Sequence, residues 1–208
     1  MERMTVGIVI FDEVEVLDYC GPFEVFSTVR LDEDKRRESQ SPFDVKLVSS
    51  RAGSVTTSGG MRVTPDCAFA DCPPLDILLV PGGWGTRPLL EDAVFLGWLR
   101  ERAVQVRLLT SVCTGSLLLG QAELLKGRRA TTHWKSLDWM AELFPGTEVV
   151  RDKHFVRDGN LYTSAGISAG IDMALTLVAD VLGEPVARAT ARHMEYPYPE
   201  SDARRIEL

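Results

Sequence analysis

Cys113 is the residue best placed for covalent chemistry, within the run Ser111-Val112-Cys113-Thr114-Gly115-Ser116. A buried strand is predicted over residues 106–111 and a helix over Gly115–Gln121, so this cysteine occupies the turn between them. Such a turn exposes a nucleophile at the edge of a sheet and needs small neighbours. The helix N-terminus behind the sulfur favours a thiolate, so we expect a lowered thiol pKa. A buried packing cysteine is the alternative interpretation.

A glycine pair ends a second predicted strand, Ile77–Val80, in the sequence Pro81-Gly82-Gly83. The backbone N–H groups of Gly82 and Gly83 are candidates for an oxyanion hole, because no side chain blocks the approach of a ligand. The N–H of Thr114 is the natural second donor. A Gly-Gly pair more often marks a simple turn, but its combination with the cysteine turn favours the catalytic interpretation.

Asp18 is the candidate acid, since it follows the first predicted strand, residues 5–11, in a predicted loop over residues 12–18. Ligands of α/β sheets bind at the carboxyl ends of the strands, where Asp18 and Cys113 can both reach. From the residues alone, a loop carboxylate or helix cap is nearly as good an interpretation of Asp18. His133 can supply an imidazole from another segment, although a structural histidine fits equally well. We expect Trp84 at the mouth of the pocket.

Strands and helices alternate along the chain at the spacing of an α/β fold with a mainly parallel sheet and helices on both faces. The further predicted elements are a helix opened by Gly21-Pro22 and reaching residue 29, a strand Phe43–Ser49, a helix over residues 91–102, a hairpin of strands 155–157 and Leu161–Ser164, and a helix over residues 167–182 ended by Gly183. The charged run at residues 32–38 is predicted to form a solvated loop. We predict a single domain over residues 1–208.

Composition excludes several classes of partner. The chain has 208 residues, 45% of them hydrophobic, which is enough for one large core. Its 23 basic and 30 acidic residues give a net charge of −7, which disfavours nucleic acid and anionic membranes as partners. Without a signal-peptide pattern or an apolar stretch of about 20 residues, a cytoplasmic protein is expected. Its four cysteines should then be free thiols, and no metal site or cofactor is predicted.

Several motifs together resemble the PfpI-like branch of the class I glutamine amidotransferase-like superfamily. They are Glu15-Val16-Leu17-Asp18 with Gly21-Pro22, Pro81-Gly82-Gly83, the run from Thr110 to Ser116, Arg129-Ala130-Thr131-Thr132-His133-Trp134, Val156-Arg157-Asp158-Gly159-Asn160-Leu161 and the run from Ala165 to Asp172. These motifs extend over most of the chain. Within the superfamily the chain is most similar to the isocyanide hydratases.

The resemblance implies a flavodoxin-like sandwich, a homodimer and a small-molecule substrate. It assigns Cys113 as the nucleophile, Asp18 as its carboxylic partner and Thr114 as a neighbour of the sulfur. The implied reaction is a lyase reaction without cofactor, in which an isocyanide is hydrated to an N-substituted formamide through a thioimidate on Cys113. Protease-like members carry His directly after the nucleophile, whereas this chain has Thr114, which argues against peptidase activity.

Two other functions stay open at this point. The same motifs occur in the sensory half of AraC-type regulators, so a stand-alone ligand- or redox-sensing domain is one alternative, with oxidation of Cys113 to sulfinate as its signal. The chain stops at Leu208 without the helix-turn-helix region of those regulators. A glyoxalase- or deglycase-like enzyme is the other alternative, ranked lower because its glutamate partner and dedicated histidine are not clearly present.

Overall fold

A seven-stranded sheet forms the centre of the structure, a computed structural model that describes residues 3–207. The strands are β1 (Met4–Val9), β2 (Phe43–Ser49), β3 (Val55–Thr56), β4 (Arg62–Val63), β5 (Cys67–Ala68), β6 (Ile77–Val80), β7 (Leu108–Val112), β8 (Arg129–Ala130), β9 (Glu148–Val149), β10 (Phe155–Asp158) and β11 (Leu161–Ser164). The central sheet has the order β10-β11-β7-β6-β1-β2-β5, and β3–β4 and β8–β9 form separate two-stranded pairs.

Seven helices are present in the described residues. They are α1 (Val16–Thr28), α2 (Thr86–Leu89), α3 (Ala93–Ala103), α4 (Gly115–Gln121), α5 (Leu137–Leu143), α6 (Ala169–Leu182) and α7 (Glu184–His193). The central sheet is parallel except for β10, which pairs antiparallel with β11. Helix α1 links β1 to β2, and α3 links β6 to β7 in the opposite direction across the sheet. Because such crossovers are right-handed, the two helices cover opposite faces, which confirms the predicted α/β sandwich.

The centre of the sheet is its most deeply buried part. All of β6 and the residues Val6, Ile8 and Val9 of β1 are inaccessible to solvent. Burying each such side chain contributes about 1.5–3 kcal/mol to folding. Since the connections that leave β1 and β6 run in opposite directions, a crevice opens at the carboxyl ends of these two strands. The loops that follow β1, β6 and β7 meet there.

The predicted start of α1 is wrong. Helix α1 begins at Val16, so Asp18 belongs to its first turn and Pro22 lies inside the helix. The sequence carries no signal for this start, because the N-cap residue Glu15 makes no side-chain capping bond. Pro22 packs closely against Gly170 of α6. A Cβ built on Gly170 would lie 3.3 Å from Pro22 Cγ.

Other predicted elements agree closely with the structure. Strands β2, β6 and β11 and helix α4 have the predicted bounds, and the hairpin turns at Gly159, which has φ +59°. Residues 32–38 form neither helix nor strand, as predicted. Helix α6 begins two residues later than predicted, because Ile167 has a left-handed backbone with φ +61°. Over residues 3–207, no helix has both the length and the apolar character that a membrane crossing requires.

Candidate active site

Cys113 lies in the sharp turn predicted between β7 and α4. Its φ of +56° is left-handed, a conformation that side-chain-bearing residues adopt mainly where the surrounding structure holds them. The Cys113 N–H donates to the carbonyls of Ser164 and Ala165, both at 3.2 Å. The Cys113 carbonyl accepts the hydroxyls of Thr132 at 2.9 Å and Ser116 at 3.1 Å. These bonds from separate segments fix the backbone on both sides of the sulfur.

Asp18 lies beside the Cys113 thiol, as the resemblance implies. Its carboxyl group is fully buried, and Oδ2 accepts the Gly82 N–H at 2.9 Å. Oδ1 has no hydrogen bond of ordinary geometry among the described residues, and the neighbouring thiol is the side chain that interacts with this carboxyl. A Cβ built on Gly82 would lie 2.9 Å from Asp18 Oδ2 and 2.6 Å from Thr114 N. Only glycine therefore fits between the acid and the cysteine turn.

Burial determines the proton balance of this pair. Burial raises the pKa of Asp18 to about 8. The hydrogen bond from Gly82 lowers this pKa, and the negative charge of Glu15 raises it. The carboxyl group therefore holds a proton at neutral pH. Burial also raises the pKa of the Cys113 thiol, and an ionised Asp18 raises it further, while Thr114 lowers it. The expected lowering of the thiol pKa is wrong, because Cys113 is only 7% exposed and desolvation outweighs the effect of the short helix behind it.

The prediction that Gly82 and Gly83 offer free amides to a substrate also needs correction. The Gly82 N–H is used by Asp18, and the Gly83 N–H donates to Thr114 Oγ1 at 3.1 Å. With φ +127°, Gly83 adopts a conformation suited to glycine, and a side chain there would collide with the Glu13 carbonyl. The Thr114 N–H instead lies beside the sulfur, where it favours the anionic form.

A cavity of about 330 Å³ opens above the Cys113 turn. Cys113 and Thr114 lie in its wall together with Gly83 and Trp84 from the loop after β6. The Trp84 side chain is 69% exposed, as expected for a residue at the mouth. The turn that holds Cys113 is thus accessible from this cavity, although Cys113 itself is largely buried.

His133 belongs to the wall of the same cavity. Its Nδ1 accepts the Lys135 N–H at 3.3 Å, and its ring packs where a side chain on Gly166 would collide with it. Burial lowers the pKa of His133, and the nearby cations Lys135, Arg204 and Arg87 lower it further. A neutral imidazole therefore faces the cavity. The side chain that contacts the Cys113 thiol is Asp18, and this contact alters the pKa values of both Asp18 and Cys113.

Sequence reasoning missed six further residues of the cavity wall. They are Glu15, Arg87, Lys135, Ser136, Trp139 and Ile167. Glu15 belongs to the motif Glu15-Val16-Leu17-Asp18, which by itself indicates no role for it, and its Oε2 accepts the Ser58 hydroxyl at 3.1 Å. Arg87 follows Trp84 by three residues, a spacing that places both side chains on one side of a helical turn. That spacing is the signal that could have identified Arg87.

The cysteines carry no sign of a second site. All four, Cys20, Cys67, Cys72 and Cys113, are free thiols. Across residues 3–207, no cluster of three or more His, Cys, Asp or Glu side chains could hold a metal ion.

Comparison with known proteins places the chain in a family. The model of the DJ-1/PfpI family matches residues 4–180. This chain belongs to the DJ-1/PfpI family. It is 42% identical over 201 residues to isonitrile hydratase from Pseudomonas putida, covering 96% of this chain and 82% of that protein. The crystal structure of a ThiJ/PfpI family protein from Pseudomonas syringae matches 97% of this chain and 79% of that one, with 30% identity and a TM-score of 0.83.

The chain is also similar to transcription regulators. The HTH-type regulator CdhR from Pseudomonas aeruginosa is 36% identical over 141 residues, which cover 68% of this chain but 41% of the regulator. An AraC family transcriptional regulator from Pseudomonas putida matches 92% of this chain and 99% of the solved chain, with a TM-score of 0.75 and 18% identity, which shows a common fold. These relatives confirm the flavodoxin-like architecture.

Proposed function

We propose that this member of the DJ-1/PfpI family is a cysteine-dependent hydratase that converts an isocyanide into an N-substituted formamide. The observation that carries the proposal is the buried acid Asp18, which keeps its proton at neutral pH beside the Cys113 thiol. The identity with isonitrile hydratase over 96% of the chain supports the same reaction. A homodimer and a cytoplasmic location stay predictions.

The first step forms a covalent bond between the substrate and the enzyme. Cys113 Sγ attacks the terminal carbon of the isocyanide, and the carboxylic acid of Asp18 delivers its proton to that carbon. The proton of the thiol passes to the carboxylate and restores the acid. The product is the thioimidate Cys113–S–CH=N–R, which contains every atom of the thiol and the isocyanide.

The second step consumes one water molecule. Water adds to the thioimidate carbon, with one of its protons passing to Asp18 and the Asp18 proton passing to the nitrogen. The tetrahedral adduct then breaks its carbon–sulfur bond, and the hydroxyl proton returns to the sulfur. The products are the formamide R–NH–CHO and the free thiol. The Thr114 N–H stabilises the leaving sulfur, because it lies beside Sγ and favours its negative charge.

Turnover of an aryl isocyanide by the purified chain tests the proposal. We expect the formamide to form, which its ultraviolet absorbance would measure. The rate of Cys113→Ala should be at least about a thousandfold lower than that of the wild type. Rapid quenching and mass spectrometry should show a Cys113 adduct that weighs one isocyanide more than the enzyme. Cys67→Ala is the matched control, since Cys67 lies on β5, outside the wall of the cavity, and this variant should keep its rate. No turnover of any isocyanide by the wild type would exclude the hydratase function.

A ligand- or redox-sensing domain is the second candidate, favoured by the similarity to CdhR. Selective oxidation of Cys113 by mild peroxide, combined with no hydration of isocyanides, would support it. Consumption of methylglyoxal by the wild type would instead favour the glyoxalase- or deglycase-like alternative.

A further inference from the structure

Arg87 lies over two indole rings in the wall of the cavity. Its guanidinium carbon lies 4.6 Å from the centroid of the Trp84 ring and 5.5 Å from that of Trp139. Cations over aromatic faces are attracted by about 0.5–2 kcal/mol, so the two rings restrict the movement of the guanidinium group. A charged group that is oriented in advance loses little conformational entropy when a ligand binds.

One edge of the guanidinium group remains available. Nη1 donates to the Gly83 carbonyl at 3.0 Å and to the Thr86 hydroxyl at 3.2 Å. Within the described part of the chain, both hydrogen bonds of the Arg87 side chain come from Nη1, so Nε and Nη2 have no acceptor, and no carboxylate oxygen lies within 4 Å of the guanidinium nitrogens. The free Nε–Nη2 edge has the spacing that binds both oxygens of a carboxylate.

The charges around the cavity favour an anion. Lys135, which is exposed, lines the same cavity and has no ion-pair partner among residues 3–207. The carboxylate in the cavity wall, Glu15, already accepts a hydrogen bond from Ser58, and Asp18 carries its proton at neutral pH. The wall of the cavity therefore contains two cationic residues and one carboxylate, and the indole rings of Trp84 and Trp139 supply apolar surface beside them.

We propose that the preferred substrates are isocyanides attached to a single aromatic ring that bears a carboxylate. The isocyanide carbon reaches Cys113, the ring contacts Trp84 and Trp139, and the carboxylate binds the free edge of Arg87. The volume of about 330 Å³ suits a ligand of this size, at the lower end of small-molecule pockets. This inference rests on the proposed hydratase function and names Arg87 as a residue that determines its specificity.

The test compares 4-isocyanobenzoate with its neutral methyl ester in steady-state kinetics. We expect the wild type to prefer the carboxylate by at least about tenfold in kcat/KM, and Arg87→Gln to lower this preference by about 10- to 100-fold, mainly through KM. Added salt should raise the KM of the carboxylate more than that of the ester. Arg87→Lys should restore part of the preference, because lysine supplies the charge without the paired donors. Arg107→Gln is the matched control, since Arg107 is exposed and precedes β7, at the end of that strand opposite Cys113.

The outcomes separate this inference from the hydratase proposal. Equal turnover of the two substrates by the wild type, or equal losses for both in Arg87→Gln, would overturn the substrate class while leaving the hydratase in place. If the wild type hydrates neither compound, titration with 4-formamidobenzoate and its methyl ester, followed by tryptophan fluorescence, decides the matter. Tighter binding of the carboxylate would support the Arg87 site, and equal affinities would contradict it.

Discussion

Two aspartates, Asp18 and Asp172, occupy similar places in the fold with different neighbours. Each is fully buried and lies in the first turn of a helix, and the two helices, α1 and α6, pack against each other. Asp172 Oδ2 lies 2.8 Å from His154 Nε2 and 2.9 Å from Arg205 Nη2. Asp18 has no cation within 4 Å among the described residues, and it contacts the Gly82 N–H and the Cys113 thiol instead.

The comparison shows that charge compensation separates a structural carboxylate from a candidate catalytic acid. A buried charge is tolerated when an opposite charge lies close to it, as at Asp172. Without such a partner the group keeps its proton, as at Asp18, and a retained proton can be transferred to a substrate. The same residue type in the same position of a helix therefore has different chemistry because of its neighbours.

Among the variants that test this comparison of the two aspartates, Asp18→Asn should give the largest effect on catalysis. The amide keeps an oxygen that can accept the Gly82 N–H but has no acidic proton, so we expect kcat with an aryl isocyanide to fall by about 10²- to 10⁴-fold. Steady-state kinetics on folded protein would measure this loss. A fall of less than tenfold would show that another group protonates the isocyanide carbon.

Asp172→Asn should instead act on stability. It removes the negative charge that faces His154 and Arg205, so we expect a loss of about 3 kcal/mol in the free energy of unfolding. The rate per folded molecule should stay close to that of the wild type, because Asp172 does not line the Cys113 cavity. Urea denaturation together with kinetics on the folded fraction would check both parts. Unchanged stability would mean that the fold does not depend on the contacts of Asp172 with His154 and Arg205.

The pH dependence of stability should identify Asp18. Its carboxyl ionises near 3.8 when unfolded and near 8 when folded, so the unfolded chain binds fewer protons between these values. The wild type should therefore lose up to about 1.4 kcal/mol of stability for each pH unit from about 4 to about 8. Asp18→Asn should show a smaller slope in denaturation curves at pH 5 to 8. Equal slopes for the wild type and Asp18→Asn would contradict the raised pKa of Asp18. Hydratase activity should also fall above about pH 8, because Asp18 then loses its proton.

Thr114→Val should give the smallest effect. It removes the hydroxyl that accepts the Gly83 N–H and that lowers the pKa of the Cys113 thiol. We expect kcat/KM to fall by about tenfold, the cost of one hydrogen bond to a charged group. Thr114→Ser keeps the hydroxyl and is the control. Equal losses in both variants would assign the effect to packing of the lost methyl group.

The sequence predicts the sheet well because its signals are local. Apolar runs and turn residues define β2, β6 and β11 without reference to distant segments. The start of α1 has no such signal, since Glu15 does not cap it through its side chain. The sequence therefore predicts a loop at Asp18, although it also predicts that Asp18 lies near Cys113.

The sequence predicts which residues form the site better than it predicts the protonation of those residues. Motifs identify Cys113, Asp18 and Thr114, and the structure brings these three together. The proton balance depends on burial and on contacts such as the one between Gly82 and Asp18, which lie 64 residues apart. Arg87 and Trp139 come from separate segments, so no local pattern joins them.

The left-handed backbone at Cys113 suggests a useful tool. A side-chain-bearing residue in this conformation costs about 1 kcal/mol, whereas glycine adopts it without penalty. Cys113→Gly should therefore fold at least as readily as Cys113→Ala while lacking the sulfur. Such an inert receptor would allow the affinity of intact isocyanides to be determined by calorimetry, without their conversion during the measurement.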